Sequence, residues 1–270
     1  MSQLGIIGCG TMGSAIALSL KCKVLVYDSL AEQLKKLEGQ QHITIASSLE
    51  ELLAQSDTII LAVKPQILPS LYSTLRSAKG EKRWISIAAG ISLAQLSEGL
   101  QSKEIVRLMP NIAAAKRASV TALAATEKCS SFLIRDANEI ASSFGAVFAL
   151  DEKLFSAFIG ISGSAIAYML QFVHALSMGG VAEGIAYPLA KEIVTQTLVS
   201  TTAMLADEKA HPMELASSVC SAGGTTIEGV AALANGAFEA TVIDAVRAAS
   251  EKSRIMEAEA LDHRKNEDKE

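Results

Sequence analysis

The stretch LGIIGCGTMGSAIALSL (4–20) narrows the possible folds more than any other. A short apolar run, LGII (4–7), passes straight into GCGTMG, which sets Gly8, Gly10 and Gly13 at G-x-G-x-x-G spacing and opens a helix-compatible segment. The next apolar run, KVLVY (23–27), is closed by Asp28, 20 residues after Gly8. Strand, glycine turn, helix and an acidic residue ending the second strand together make the context of a dinucleotide-binding βαβ unit. Gly8 permits the tight turn, Gly10 lets a pyrophosphate approach the backbone, and Gly13 lets the helix lie close on the sheet. Thr11 and Met12 open the helix, whose N-terminus offers unpaired N–H groups to phosphates. The bland alternative is a glycine-rich turn that serves packing alone.

Asp28 bears on which cofactor is bound. A carboxylate there accepts hydrogen bonds from an adenosine ribose and repels a 2′-phosphate, and the next residue is Ser29 rather than an arginine. NAD(P)H is the expected cofactor, with NADH favoured. The competing role for Asp28 is to cap the helix that begins near Leu30.

Apolar runs at TIILAV (58–63), WISIAA (84–89) and EIVRLM (104–109) read as further buried strands, HITIA (42–46) as a weaker one, and SVTALA (119–124) and AVFAL (146–150) as extensions. Between them SLAEQLKKLE, SSLEELLAQ and SLAQLSEGL read as helices, each starting on a serine N-cap. This alternation predicts an α/β fold: a Rossmann-type dinucleotide-binding domain with a mainly parallel sheet. After Asp151 the strand pattern stops, and helical spacing recurs around 164–178, 188–208 and 237–261. The expected domains are therefore 1–150, nucleotide-binding, and 151–270, all-helical, with 262–270 a frayed charged tail.

A net charge of −5 argues against nucleic acid and acidic membranes as partners. Cys9, Cys22, Cys129 and Cys220 form no CxxC pair, no metal-ligand spacing occurs, and no secretory leader is expected before the first strand; a cytoplasmic protein with free thiols and no metal follows. Residues 154–182 carry no Asp, Glu, Lys or Arg, but Ser162-Gly163-Ser164 interrupts the run, so a buried or subunit-interface helix is expected rather than a membrane span.

Inside the helical half, VCSAGGTTI (219–227) places two glycines before two threonines. Bare amides of Gly223, Gly224 and Thr225 at a helix start suit an anion; the alternative is a glycine-marked helix boundary with capping threonines.

The ordered series AVKP (62–65), ISIAAGIS (85–92), RLMPN (107–111), ISGSAIAY (161–168), HPMEL (211–215) and SAGGTTIEGV (221–230) resembles the pyrroline-5-carboxylate reductase family, over nearly the whole chain. The resemblance implies hydride transfer from NAD(P)H to a cyclic imine, yielding proline, and a helical domain that dimerises. It implies that Ala62, Val63, Lys64 and Pro65 line the cofactor, that Ile87, Ala88 and Ala89 approach the nicotinamide end, and that Asn111 and Glu152 lie nearby. Gly223, Gly224, Thr225 and Ser162 would bind substrate, and the Thr226 hydroxyl would meet its ring nitrogen, with either the threonine or water as the source of the proton. This chain departs from the family pattern at Ala165, Ile166, Ile112, Ala113 and Ala222. A reductase of another cyclic imino acid, a β-hydroxyacid-type dehydrogenase and a nucleotide-binding regulatory protein are the alternatives.

Overall fold

The computed structural model describes residues 3–206 and 211–267, with side chains through residue 258. The first half folds as β1 (Leu4–Ile7), α1 (Thr11–Ser19), β2 (Val24–Tyr27), α2 (Ala31–Leu34), β3 (Ile43–Ile45), α3 (Leu49–Gln55), β4 (Thr58–Leu61), α4 (Leu68–Arg76), β5 (Arg83–Ser86), α5 (Leu93–Leu100), β6 (Ile105–Met109), β7 (Ser119–Ala125), α6 (Ser131–Ser142) and β8 (Gly145–Ala149). Then follow α7 (Phe155–Ile161), α8 (Ala165–Ala182), α9 (Tyr187–Met204), α10 (Pro212–Val219), α11 (Thr225–Asn235) and α12 (Phe238–Glu267).

The strands form one sheet in the order β3-β2-β1-β4-β5-β6-β7-β8, with every pairing parallel except β6 with β7. Because side chains alternate across a strand, the sheet feeds two apolar layers. Leu25, Ile59 and Leu61 join α3, α4, α5 and α7 on one face, while Val24, Val26 and Ile60 join α1 and α6 on the other. A sheet covered on both faces explains why its strands read as continuous apolar runs. The strand order reverses between β1 and β4, so the chain segments leaving those strands lie side by side.

Two of the three expected serine caps form. The Ser48 hydroxyl accepts from the Glu51 N–H at 3.1 Å, and Ser92 makes a reciprocal capping box with Gln95. The third does not: Leu30, not Ser29, is the cap residue of α2, and the Asp28 carboxylate serves the Leu30 N–H at 2.9 Å instead.

Two compact units divide the chain: Met1–Gly163 with Ala249–Glu270, and Ser164–Ala248. Strand structure ends at Ala149, but the first unit also takes in α7 and the last part of α12, because Phe155 and Phe158 complete its core. The tail expected to fray from 262 onward continues as helix to Glu267, as its Glu, Lys and Arg content favours; residues 268–270 lie outside the described residues.

In the second unit α8 packs on α9 through small residues, a Cβ at Gly180 lying 3.2 Å from that of Ala190. Glu152–Ala182 is long and apolar enough to cross a membrane by length and composition, and its helix is interrupted by a turn between Ile161 and Ala165. Met169, Leu170, Leu189 and Val199 are more than half exposed.

Candidate active site

The glycine-rich turn is built as its sequence demands. Gly8 has φ +96°, and a Cβ there would lie 2.7 Å from the Ala62 carbonyl carbon, so any side chain collides with the segment leaving β4. A Cβ at Gly13 would strike the Gly8 carbonyl, which is why α1 can begin so close to the sheet. At Gly10 nothing lies within 4 Å of a Cβ, leaving the backbone open on the side where α1 starts. Gly10 is the cap residue of α1 and has no side chain to cap with, so the first-turn N–H groups, including those of Thr11 and Met12, remain available. This cradle, narrow where a side chain would intrude and open at uncapped amides, fits the pyrophosphate of a dinucleotide.

The peptide of Cys9, between the first two glycines, is held from several sides. Its N–H donates to Asp28 Oδ2 at 2.6 Å, and its carbonyl accepts from the buried Ser14 hydroxyl at 2.6 Å. Burial, with the Asp28 carboxylate adding to it, pushes the Cys9 thiol up to about 12, so it is a neutral packing group and not a nucleophile. Asp28 thus holds the glycine-rich turn with one oxygen and caps Leu30 with the other. Ser14 was not among the expected site residues; a serine inside an apolar helix was the available signal.

Around the end of β4, the Ala62 N–H donates to the Ile7 carbonyl at 2.8 Å, and the Ile67 N–H donates to the Lys64 carbonyl at 2.9 Å. Val63 and Pro65 are half-buried and Lys64 is exposed. At the end of β5, Ile87 bonds back to Leu61, Ala88 is buried on the Ser86 hydroxyl, and Ala89 is exposed.

Asn111 is buried, and its groups are committed. Its N–H donates to Ser119 Oγ, its Oδ1 accepts from the Ala113 N–H, and its Nδ2 reaches Ser162 Oγ at 3.5 Å. The structure therefore brings Asn111 and Ser162 together at the end of β6. Glu152, expected beside the cofactor, has its Oε1 taken by Arg107 Nη1 at 2.7 Å and by the Leu93 N–H at 2.7 Å. Arg107 is 1 % exposed and also meets Glu257 at 3.0 Å. A charge inside the strand EIVRLM was the missed signal for Arg107, since a buried arginine requires partners. Nothing local pointed to Glu257.

In the second unit, Gly223 takes φ +68° and Gly224 becomes the cap residue of α11, again without a side-chain cap. The Gly224 N–H, expected to face an anion, is instead spent on the Ser221 carbonyl at 3.0 Å, closing the bend. The first-turn amides of Thr225, Thr226 and Ile227 have no intrahelical acceptor, and both threonines are exposed. His174 lies 3.5 Å from the Tyr187 hydroxyl, away from this bend in sequence and on other helices.

A family model described as "Pyrroline-5-carboxylate reductase dimerisation" matches residues 152–256, and one described as "NADP oxidoreductase coenzyme F420-dependent" matches residues 3–90. A pyrroline-5-carboxylate reductase of Synechocystis is 34% identical, over 94% of this chain and 98% of its own length. The crystal structure of the Plasmodium falciparum pyrroline carboxylate reductase with NADP bound superposes at a TM-score of 0.83 and 30% identity, covering 95% of this chain and 98% of that one. The Streptococcus pyogenes 1-pyrroline-5-carboxylate reductase gives a TM-score of 0.83 at 34% identity, with 93% and 98% covered.

Proposed function

The chain belongs to the pyrroline-5-carboxylate reductase family, and on that premise we propose that it reduces the C=N bond of 1-pyrroline-5-carboxylate to proline. NAD(P)H, when bound, supplies the hydride. The observation that carries this reading is the bend at Gly223: a left-handed glycine leading into an uncapped helix start with two adjacent hydroxyls.

Three tasks fall to the protein. The amides of Thr225 and Thr226, at the positive end of α11, hold the substrate carboxylate, with Gly223 and Gly224 keeping side chains out of its way. The Thr226 hydroxyl orients the ring nitrogen; a threonine is too weak an acid to release its own proton near neutral pH, so water delivers the proton that the new amine takes up. The turn through Gly8, Gly10 and Gly13, with Thr11, Met12 and the 62–65 segment, anchors the cofactor, while 87–89 and Asn111 shape its reactive end and Ser162, beside Asn111, meets the substrate. Most of the rate enhancement then comes from aligning the hydride donor with the imine carbon.

Asp28 favours NADH, because a 2′-phosphate beside a carboxylate is repelled. The exposed apolar side chains of α8 and α9 and the match to a dimerisation family support a homo-oligomer, which we assign as at least a dimer. Four free thiols suit a reducing cytoplasmic setting.

The test is NADH consumption with pyrroline-5-carboxylate, in the parent and in Thr226→Ala. Turnover in the parent that falls in the variant supports the assignment. A parent that binds NADH but leaves this imine unreduced overturns it.

A further inference from the structure

The buried Arg107 connects elements that are distant in sequence. It extends from β6 into the apolar layer, with its guanidinium 4.9 Å from the centre of the Phe155 ring. Nη1 meets Glu152 Oε1 at 2.7 Å, and Nη2 meets Glu257 Oε1 at 3.0 Å. Among the described residues its Nε finds no acceptor, so the side chain is oriented by these two carboxylates. Glu152 Oε1 also accepts the Leu93 N–H, the first amide of α5, directly after the segment 87–92 that follows β5.

Glu257 stands on α12. Its other oxygen is 3.4 Å from the Ser156 hydroxyl, which lies 3.0 Å from the Ser253 hydroxyl on the same face of that helix. The Met256 carbonyl lies 4.0 Å from where a Cβ of Gly90 would sit, and Gly90 has φ +76°. This part of α12 therefore runs close to Gly90, and through Glu257, Arg107 and Glu152 it is linked to the Leu93 amide that directly follows the 87–92 segment.

We propose that Glu257 is a positioning residue for hydride transfer: through Arg107 and Glu152 it fixes the 87–92 segment, making the C-terminal helix part of the catalytic apparatus. This rests on the assignment of 87–89 to the nicotinamide end of the site. A charged hydrogen bond in a buried site holds more tightly than a neutral one, so removing the Glu257 charge loosens the chain of contacts without deleting it. Arg107 retains Glu152, which keeps the fold.

The experiment compares the parent with Glu257→Gln and Glu257→Asp, first by hydrogen–deuterium exchange on protein without nucleotide. In Glu257→Gln, exchange at the Leu93 amide and across 87–92 rises about tenfold, a loosening of roughly one charged hydrogen bond, while β1, β4 and α1 keep the parent rates. Kinetically, kcat falls several-fold with the NADH Kd, read by fluorescence titration, unchanged; Glu257→Asp recovers part of both effects. Unchanged exchange at Leu93, or exchange raised uniformly over the sheet, overturns the proposal. Local loosening at 87–92 in Glu257→Gln, with a parent that does not reduce the imine, leaves the positioning contact standing and removes only the assigned reaction. Local loosening with full kcat in a turning-over enzyme overturns the catalytic role.

Discussion

Asp28 Oδ2 accepts the amide hydrogen of Cys9 at 2.6 Å, so the acidic residue that ends β2 is bonded to the glycine-rich turn itself. The cofactor preference proposed for Asp28 and the geometry of the turn therefore depend on one side chain. Asp28→Ser keeps a hydrogen-bonding group but removes the charge. The expected outcome is a shift in the NADPH/NADH ratio of kcat/KM toward NADPH by at least about tenfold, or ~1.4 kcal/mol. Steady-state kinetics with both cofactors check it, and an unchanged ratio removes Asp28 as the selector.

Gly8→Ala places a Cβ at φ +96° and 2.7 Å from the Ala62 carbonyl carbon. Backbone strain and collision together cost about 2–4 kcal/mol, enough to lower Tm by several degrees and abolish NADH binding. Gly10→Ala, at a position with nothing within 4 Å, keeps the parent stability but loses nucleotide affinity. Thermal melts and NADH fluorescence separate the two. Equal losses of stability would show that Gly10 is not set aside for the ligand.

Cys9 is 0 % exposed, and its thiol is raised from the usual 9.0 to about 12. The unfolded chain ionises this thiol above its ordinary value, whereas the folded chain holds the proton until about 12. Between those values the native state binds more protons, so stability falls as pH rises, by up to ~1.4 kcal/mol per pH unit from this group. Urea melts from pH 8 to 11, chosen to bracket the onset, register the decline, and Cys9→Ala flattens it. A thiol reagent at neutral pH labels Cys220 before Cys9.

Met169 and Leu170 on α8, and Leu189 on α9, are 59%, 64% and 53% exposed. A second copy covering them predicts a dimer or larger species at micromolar protein. Leu170→Glu, which desolvates a charge in such an interface, lowers the sedimentation coefficient toward the monomer value. A parent that sediments as a monomer removes the oligomer.

Much of this molecule was legible from local pattern. All eight strands of the described residues fall on apolar runs that were visible in the sequence; the six inner ones are buried on both faces and ask only for short apolar stretches, while the edge strands β3 and β8 are largely exposed. The glycine turn was legible for a similar reason. Gly8 and Gly13 are fixed by contacts within one βαβ unit and the strand beside it.

What escaped the sequence was how polar groups spend their bonds. Asp28 could have capped α2 or faced a ribose, and folding gave one oxygen to Leu30 and the other to Cys9. Gly224 was expected to offer its amide outward, and the bend turned it onto Ser221.

Sequence by itself determined the alternating elements and the helical second half, which depend on neighbours a few residues apart, and the glycine-rich turn, whose spacing is written in one short motif. Only the tertiary structure decided that Arg107 lies between Glu152 and Glu257, the latter 150 residues away in the chain. A buried cation takes whichever carboxylates the closed fold brings within reach, and no local pattern encodes that meeting.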